Sequence, residues 1–396
     1  MFKRGLLTVA VLAAGISTAS AQPYGFSDAR SVGMGNVSVA TGGVTTAAFS
    51  NPAMLMVNES DDTFALHIGV GVAGIEDGDF TDDIDRFQAA EDQLALIPKT
   101  AGNEQQLVDL LNEQIQVMND LNGDSLLIHA TPNFALVYGG DSFSLALSAE
   151  VNANASAAIT NVTGATPLTY QNVVDDIVNN GTLTFNPDAT LSAIGAISTE
   201  LGVSIASDFD VLGMDISVGI RPKVVSAEAI VFNQTIATAD TADIVDDTTT
   251  DLGSFTTADA GIVINFTDSL RVGVVAKNLI SETLTSGGIS MEFETRMRVG
   301  AAYNTDWFTI AADMDLTESD PILAEDPSKM LGVGLEFNAW DFMQLRAGYQ
   351  TNLASDATAD DLLSVGIGLW LGFNLDIAAV ASENSIGAFV QTGFRF

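Results

Sequence analysis

The stretch Ile386-Gly387-Ala388-Phe389-Val390-Gln391-Thr392-Gly393-Phe394-Arg395-Phe396 sets Ile386, Ala388, Val390, Phe394 and Phe396 against Gly387, Gln391, Gly393 and Arg395. A strand turns successive side chains to opposite faces, so one face here is apolar and the other polar. The same period places Met343, Leu345, Ala347 and Tyr349 opposite Gln344, Arg346, Gly348 and Gln350. It also places Leu331, Val333, Leu335 and Phe337 opposite Gly332, Gly334, Glu336 and Asn338. Alternating segments of about ten residues mark a lipid-facing barrel with a polar interior. A soluble sandwich alternates too, so the period alone leaves both open.

The links between segments decide. Segments of this kind lie near 62–74, 128–139, 142–157, 190–207, 214–230, 258–267, 270–279, 295–304, 307–316, 330–338, 341–350, 362–371, 373–380 and 386–396. Their links alternate between long and short almost throughout. With an even strand count and a periplasmic N-terminus, long links fall outside and tight turns inside, as in an outer-membrane barrel. The expectation is an all-β fold, a transmembrane up-and-down antiparallel β-barrel of about 14 strands. Trp307, Trp340 and Trp370 sit at or beside the predicted periplasmic turns, where an amphipathic ring suits the membrane interface. Phe396 after alternating apolar positions resembles the C-terminal signal read by the barrel-assembly machinery, which is thereby an expected partner.

Lys3 and Arg4, the apolar stretch Leu6–Ile16 and Ala19-Ser20-Ala21 read as a secretory signal peptide over residues 1–21. Export to the periplasm and residence in the cell outer membrane follow, with outer-membrane lipid and lipopolysaccharide as surroundings. No apolar run reaches the roughly 18 residues of a membrane helix, although 47% of the chain is apolar. There is no Cys, which excludes disulfide staples and thiol redox chemistry. Loss of Lys3 and Arg4 takes the formal charge from −37 to −39, and phosphate neutralisation of a nucleic acid is excluded on that balance.

Acids crowd the long links: Glu76, Asp77, Asp79, Asp82, Asp83, Asp85, Glu91 and Asp92 in the first, Asp240, Asp243, Asp246, Asp247 and Asp251 in another. No EF-hand spacing is present, so no metal site is expected. The bases behave oppositely: Arg221, Lys223, Arg271, Lys277, Arg296, Arg298, Arg346 and Arg395 fall on the predicted inward face, in phase with Asp215, Asp313, Asp315, Glu336 and Asp376. Two readings stand. These ions pair across the lumen, since charges away from water need partners, or part of the set guides an anionic head group, for which Arg296, Arg298 and Arg346 suit bidentate binding. In the first link Leu107, Leu110, Leu111, Ile115, Met118 and Leu121 form a helical stripe. That helix, in an external loop, is either a lid over the barrel mouth or the wall of a groove for a hydrophobic ligand. With two histidines, no nucleophile elbow and no phosphate loop, neither an enzyme nor a cofactor is expected.

Ala29-Arg30-Ser31-Val32-Gly33-Met34-Gly35 followed by Asn51-Pro52-Ala53 resembles the start of the FadL-like outer-membrane transport superfamily. A narrower resemblance runs through Asp82-Asp83-Ile84-Asp85-Arg86-Phe87, Leu201-Gly202-Val203-Ser204, Ile220-Arg221-Pro222-Lys223, Leu270-Arg271-Val272-Gly273, Lys277-Asn278-Leu279, Ala339-Trp340-Asp341 and Gln344-Leu345-Arg346-Ala347-Gly348-Tyr349. Together these look like the barrel family named for the conjugal transfer protein TraF, over nearly the whole chain. The resemblance implies an N-terminal hatch at residues 22–57 folded into the lumen, with Asn51, Pro52 and Ala53 as hatch residues, and a barrel over 58–396. It implies passive uptake of hydrophobic or amphipathic small molecules. The alternative is a structural or interaction protein associated with conjugal transfer or surface contact.

Overall fold

The computed structural model describes residues 19–20, 28–57, 63–77, 79–122, 124–164, 166–185, 188–235, 249–319, 327–340, 342–355, 361–383 and 385–396. Of the predicted signal peptide only Ala19 and Ser20 fall within them, and Asp240, Asp243, Asp246 and Asp247 lie outside. The wall strands are β1 (Phe64–Asp77), β2 (Ser125–Ala130 and Asn133–Tyr138), β3 (Ser144–Thr163), β4 (Asp188–Val211), β5 (Met214–Thr235), β6 (Thr249–Asn265) and β7 (Leu270–Lys277). They continue as β8 (Arg296–Asn304), β9 (Phe308–Asp315), β10 (Met330–Trp340), β11 (Met343–Asn352), β12 (Leu362–Trp370), β13 (Asn374–Ala381) and β14 (Ser385–Arg395). Each pairs antiparallel with its neighbours in sequence, and β14 pairs with β1. The result is a closed barrel of 14 strands, as the alternation predicted. The two pieces of β2 share one register against β1 and flank Thr131-Pro132, where proline removes a ladder donor.

The barrel is inside-out relative to a soluble protein. On β10, Val333, Leu335 and Phe337 are 42%, 45% and 40% exposed, whereas Glu336 between them is 3% exposed. Each such side chain left in water would forgo about 1.5–3 kcal/mol of burial, so this exterior is built for hydrocarbon. Short turns join the strands at one rim. Leu212 and Gly213 have φ of 57° and 80°, the left-handed pair that a two-residue hairpin between β4 and β5 requires. Phe64 stacks on Phe396 at this rim, with centroids 6.1 Å apart. Trp307 and Trp370 are exposed near it.

The wall is uneven. β3, β4, β5 and β6 have 20, 24, 22 and 17 residues, well beyond the roughly 9–11 that cross a bilayer. Their upper parts rise above the rim of long links. There α2 (Phe80–Leu96), α3 (Glu104–Asp120) and α4 (Tyr170–Asn180) pack together through Leu94, Leu107, Leu111, Val173 and Ile177. The stripe seen in the sequence is therefore helical and buried. Met118 and Leu121 meet Phe80, Phe87, Ile159 and the partly buried Leu126 and Ile230. Leu126, Ile159 and Ile230 carry the strand phase opposite to the inward His129, Ser156 and Ala229, so the layer braces the outside of the tall wall. A hairpin of Glu282–Ser286 and Ile289–Phe293, in a link read as strandless, brings Leu284, Met291 and Phe293 onto the inward-phased Ala196, Val225, Ala227 and Ala229.

Candidate functional site in the barrel lumen

Residues 28–57 are buried almost throughout and touch wall strands on several sides of the lumen. Asp28 caps the short helix α1 (Ala29–Val32), accepting from Ser31 N at 2.8 Å and Ser31 Oγ at 2.7 Å. Gly35 and Asn36 then turn the chain with φ of 73° and 60°. Asn51 accepts from Ala53 N at 3.1 Å and donates through Nδ2 to the Val39 carbonyl at 2.9 Å, so it caps the 3-10 turn Pro52–Met56 and ties it back. The wall makes room with glycine. A methyl on Gly261 would strike the Asn51 side chain, and one on Gly348 would strike the Gly35 backbone.

One side of the lumen carries a closed circuit of polar contacts. Arg30 forks onto Glu336, Nε to Oε2 at 2.9 Å and Nη2 to Oε1 at 2.8 Å, and its Nη1 donates to the Thr41 carbonyl at 2.8 Å. Arg346 Nε donates to Glu336 at 2.7 Å and its Nη1 to Asp376 at 2.6 Å. Gln391 donates to Asp376 at 3.0 Å and accepts from Ala29 N at 2.8 Å. The circuit leaves the N-terminal segment at Arg30 and returns to it at Ala29. Lower in strand order, Arg298 pairs with Asp315, Nε to Oδ1 at 2.6 Å, and donates to the Asn36 carbonyl at 3.3 Å. Asp313 accepts from Ser38 N at 2.6 Å and Val39 N at 2.9 Å. Arg271 reaches the Ala40 carbonyl at 3.3 Å.

The opposite side holds a second cluster. Arg221 Nε donates to Ser148 Oγ at 3.0 Å, and its Nη1 lies 3.0 Å from Glu200 and 3.3 Å from Asp259. Lys223 Nζ is 2.9 Å from Glu200 and 3.0 Å from Asp259. Glu150 sits directly opposite Glu200 in the β3–β4 register, so two carboxylates share the face that these cations hold. Below this layer Phe49 is fully buried, with His67 at 5.7 Å between ring centroids and the Arg221 guanidinium carbon 5.9 Å from its ring. His67 Nε2 meets Asn133 Oδ1 at 2.7 Å.

The structure brings Arg221 and Lys223 into one cluster, Arg346, Glu336 and Asp376 into the other, and Arg271 and Arg298 onto the N-terminal segment. Lys277 and Arg296 face each other in the β7–β8 register, with Arg296 3.7 Å from Glu294. Arg395 lies half-buried at the short-turn end of β14. Asp215, expected inside, is exposed at the short-turn end of β5, because the strand has already reached its turn there. Arg30, Glu150, Glu200, Asp259, Gln391 and Phe49 were not singled out by sequence. Glu150 and Glu200 share the inward phase of their strands, which is the signal that finds them.

Residues 48–315 match the family model described as "F plasmid transfer operon, TraF, protein". The chain belongs to this TraF family. Within the TraF match lie Asn51, the helical layer, the Glu282–Phe293 hairpin and the Glu200–Arg221–Asp259 cluster. The circuit through Arg30, Glu336, Arg346 and Asp376 lies beyond it. No curated protein matches the sequence. Among solved structures, the toluene transporter TbuX of Ralstonia pickettii is 12% identical with a TM-score of 0.55, covering 94% of this chain and 99% of that one. The toluene transporter TodX of P. putida is 12% identical at a TM-score of 0.53, covering 93% and 98%. A TodX deltaS2S3 mutant monoaromatic hydrocarbon channel is 13% identical at 0.52, covering 93% and 99%. These likenesses show that the TraF chain shares the fold of those barrels.

Proposed function

We propose that this chain is an outer-membrane channel for passive uptake of hydrophobic or amphipathic small molecules, with residues 28–57 as a hatch that yields locally. The observation that carries this reading is how the segment is held. It is buried inside the barrel, yet apart from its chain continuation it is attached by reversible contacts: the Arg30–Glu336 fork, the Ala29–Gln391 bond, and backbone N–H groups on Asp313. A plug fixed this way closes the barrel at rest and moves when a few contacts exchange. The solved barrels named toluene transporters and hydrocarbon channels support the same reading through their shared fold. In the closed arrangement Arg346 is already engaged by Glu336 and Asp376, so an anionic head group must displace a carboxylate to bind there.

The family description points to a second reading, an interaction protein serving plasmid transfer, favoured by the filled lumen and by the helical layer bracing a wall that stands above the membrane. Purified protein in detergent, tested for heat-modifiable mobility, single-channel conductance and binding of acyl chains and aromatics, separates the two. A folded barrel that binds such ligands without a steady open pore supports the channel. A folded barrel that binds none sinks it in favour of the interaction role.

A further inference from the structure

The inward positions of β1–β4 near the short-turn rim are small: Ala65, Ala135, Ala146 and Ala206, with Val137 and Val263 beside them. These four alanines line an apolar cradle in the wall, and Phe49 of the N-terminal segment is buried in the same cluster together with Met54 and Leu55. Polar groups border this ring. His67 is tilted 51° to it, and Arg221 stands 5.9 Å away over its face. The guanidinium is almost saturated: Nε goes to Ser148, Nη1 to Glu200 and Asp259. Nη2 is buried and makes no hydrogen bond to the described residues. Such a donor is costly to leave without an acceptor, by about 1–3 kcal/mol.

We infer that the cradle is a ligand site for a neutral aromatic compound bearing one carbonyl oxygen, and that Phe49 occupies it as an internal stand-in while the hatch is closed. The ring of the ligand takes the place of the Phe49 ring among the alanines, keeping the cation–π contact, and its oxygen accepts from Arg221 Nη2. Neutrality follows from the charge balance. Glu200 and Asp259 already pair with Arg221 and Lys223, and Glu150 stands opposite Glu200 in the register, so a carboxylate added here would be an uncompensated charge away from water. A plain hydrocarbon would fill the cradle and leave Nη2 as it is.

The inference rests on the channel reading, because the site opens only when residues 28–57 yield. Its test uses the full chain in detergent with acetophenone, cumene and benzoate as probes, read by calorimetric competition at fixed detergent. Phe49→Ala opens the cradle, and Phe49→Leu does so with less loss of packing should the first variant fold poorly; heat-modifiable mobility reports the folded barrel in each. An opened apolar void alone binds any small ring, so the informative quantity is the acetophenone-to-cumene affinity ratio. Adding Arg221→Lys, which keeps the charge but not the second donor, is expected to lower that ratio about tenfold, the worth of one good hydrogen bond. A ratio unmoved by Arg221→Lys, or benzoate binding tighter than acetophenone, overturns the site while leaving the channel standing. Ligand binding to the opened variants with a wild-type segment that stays docked under saturating acetophenone sinks the hatch reading and keeps the cradle.

Discussion

Arg30 and Glu336 stand 306 residues apart in sequence and meet as a two-pronged pair, 2.9 and 2.8 Å between their nitrogens and oxygens, with Glu336 almost wholly shielded. Glu336 receives Arg346 as well, so one carboxylate holds both an arginine of the N-terminal segment and an arginine of the wall. Removing it leaves two cations in the lumen without their shared partner. Glu336→Gln is expected to destabilise docking of the segment by about 3–5 kcal/mol, the usual result of breaking a buried pair from one side. Arg30→Ala removes only the partner on the N-terminal segment and leaves Glu336 with Arg346, so its effect is smaller. Hydrogen exchange across residues 28–42 is expected to be slow in the wild type and to speed most in Glu336→Gln. Equal exchange in all three proteins would deny the latch.

The seat at Gly261 gives an independent handle on the same segment. Alanine there drives a methyl into Asn51, which caps the 3-10 turn and ties it to Val39. The strand itself accepts alanine readily, so the barrel is expected to form with normal heat-modifiable mobility. Limited proteolysis near residues 43–57 should then increase at least severalfold over wild type, and unchanged cleavage would mean that the turn can shift without cost.

The wall was largely legible in the sequence because alternation and short turns are local. Val333, Leu335 and Phe337 against Glu336 gave both strand and face, and Pro132 did not hide the strand it interrupts. What failed locally was the hairpin at Glu282–Phe293: its strands have five residues each, too few for a period, although Gly287-Gly288 is a two-residue turn signal. The helix Phe80–Leu96 was masked by its own acids, although Phe80, Phe87 and Leu94 recur at sevens on one face. Which cation meets which carboxylate was not legible at all. Phase puts Arg346 and Asp376 in the lumen, but the partnership of Arg30 with Glu336 depends on where the segment comes to rest. The Phe49 cradle is invisible for the same reason, since single alanines on four strands carry no signal until the barrel closes.

Leu111 is buried between α3 and α4 with Leu107 and Val173. Leu111→Ala is expected to cost the helical layer about 2–5 kcal/mol. Because the layer braces the outside of the tall wall, the loss stays local. Urea titration followed at α3 should show an early step in the variant, while the barrel transition and gel mobility remain those of wild type.

Asp176 contributes a pH dependence to that layer. Its carboxylate accepts from Thr184 N at 2.5 Å, Thr184 Oγ1 at 2.8 Å and Asn180 Nδ2 at 2.7 Å, pinning the chain that leaves α4. The Thr184 backbone bond is the main cause that lowers its pKa below the ordinary 3.8. A depressed carboxylate contributes fully above its unfolded value and loses the contribution as pH falls through the folded one. Asp176→Asn should therefore speed exchange at Thr184 and Phe185 relative to wild type at pH 6, with the ratio falling toward one as the pH is taken down below the ordinary carboxylate range. A ratio independent of pH would assign the pinning to something other than the charge.

The level of the membrane on the tall wall follows from where its outer face changes character. On β4, Leu201, Val203, Ile205 and Phe209 are exposed and apolar, and on β5 the exposed series Val218, Ile220 and Val224 gives way to Ser226 and Glu228. Leu201 pairs with Val224, so the upper edge of the apolar band runs through that pair, and about nine residues of β4 below it suffice to cross. Ile205 then lies near the middle of the bilayer and Glu228 above it. Ile205→Arg is expected to destabilise the folded barrel by about 2–4 kcal/mol in lipid vesicles, and Glu228→Arg by about 0–1 kcal/mol. Urea titration in thin vesicles measures both. Equal costs at the two positions would move the membrane up the wall and immerse the helical layer in lipid, a surface its exposed acids make untenable.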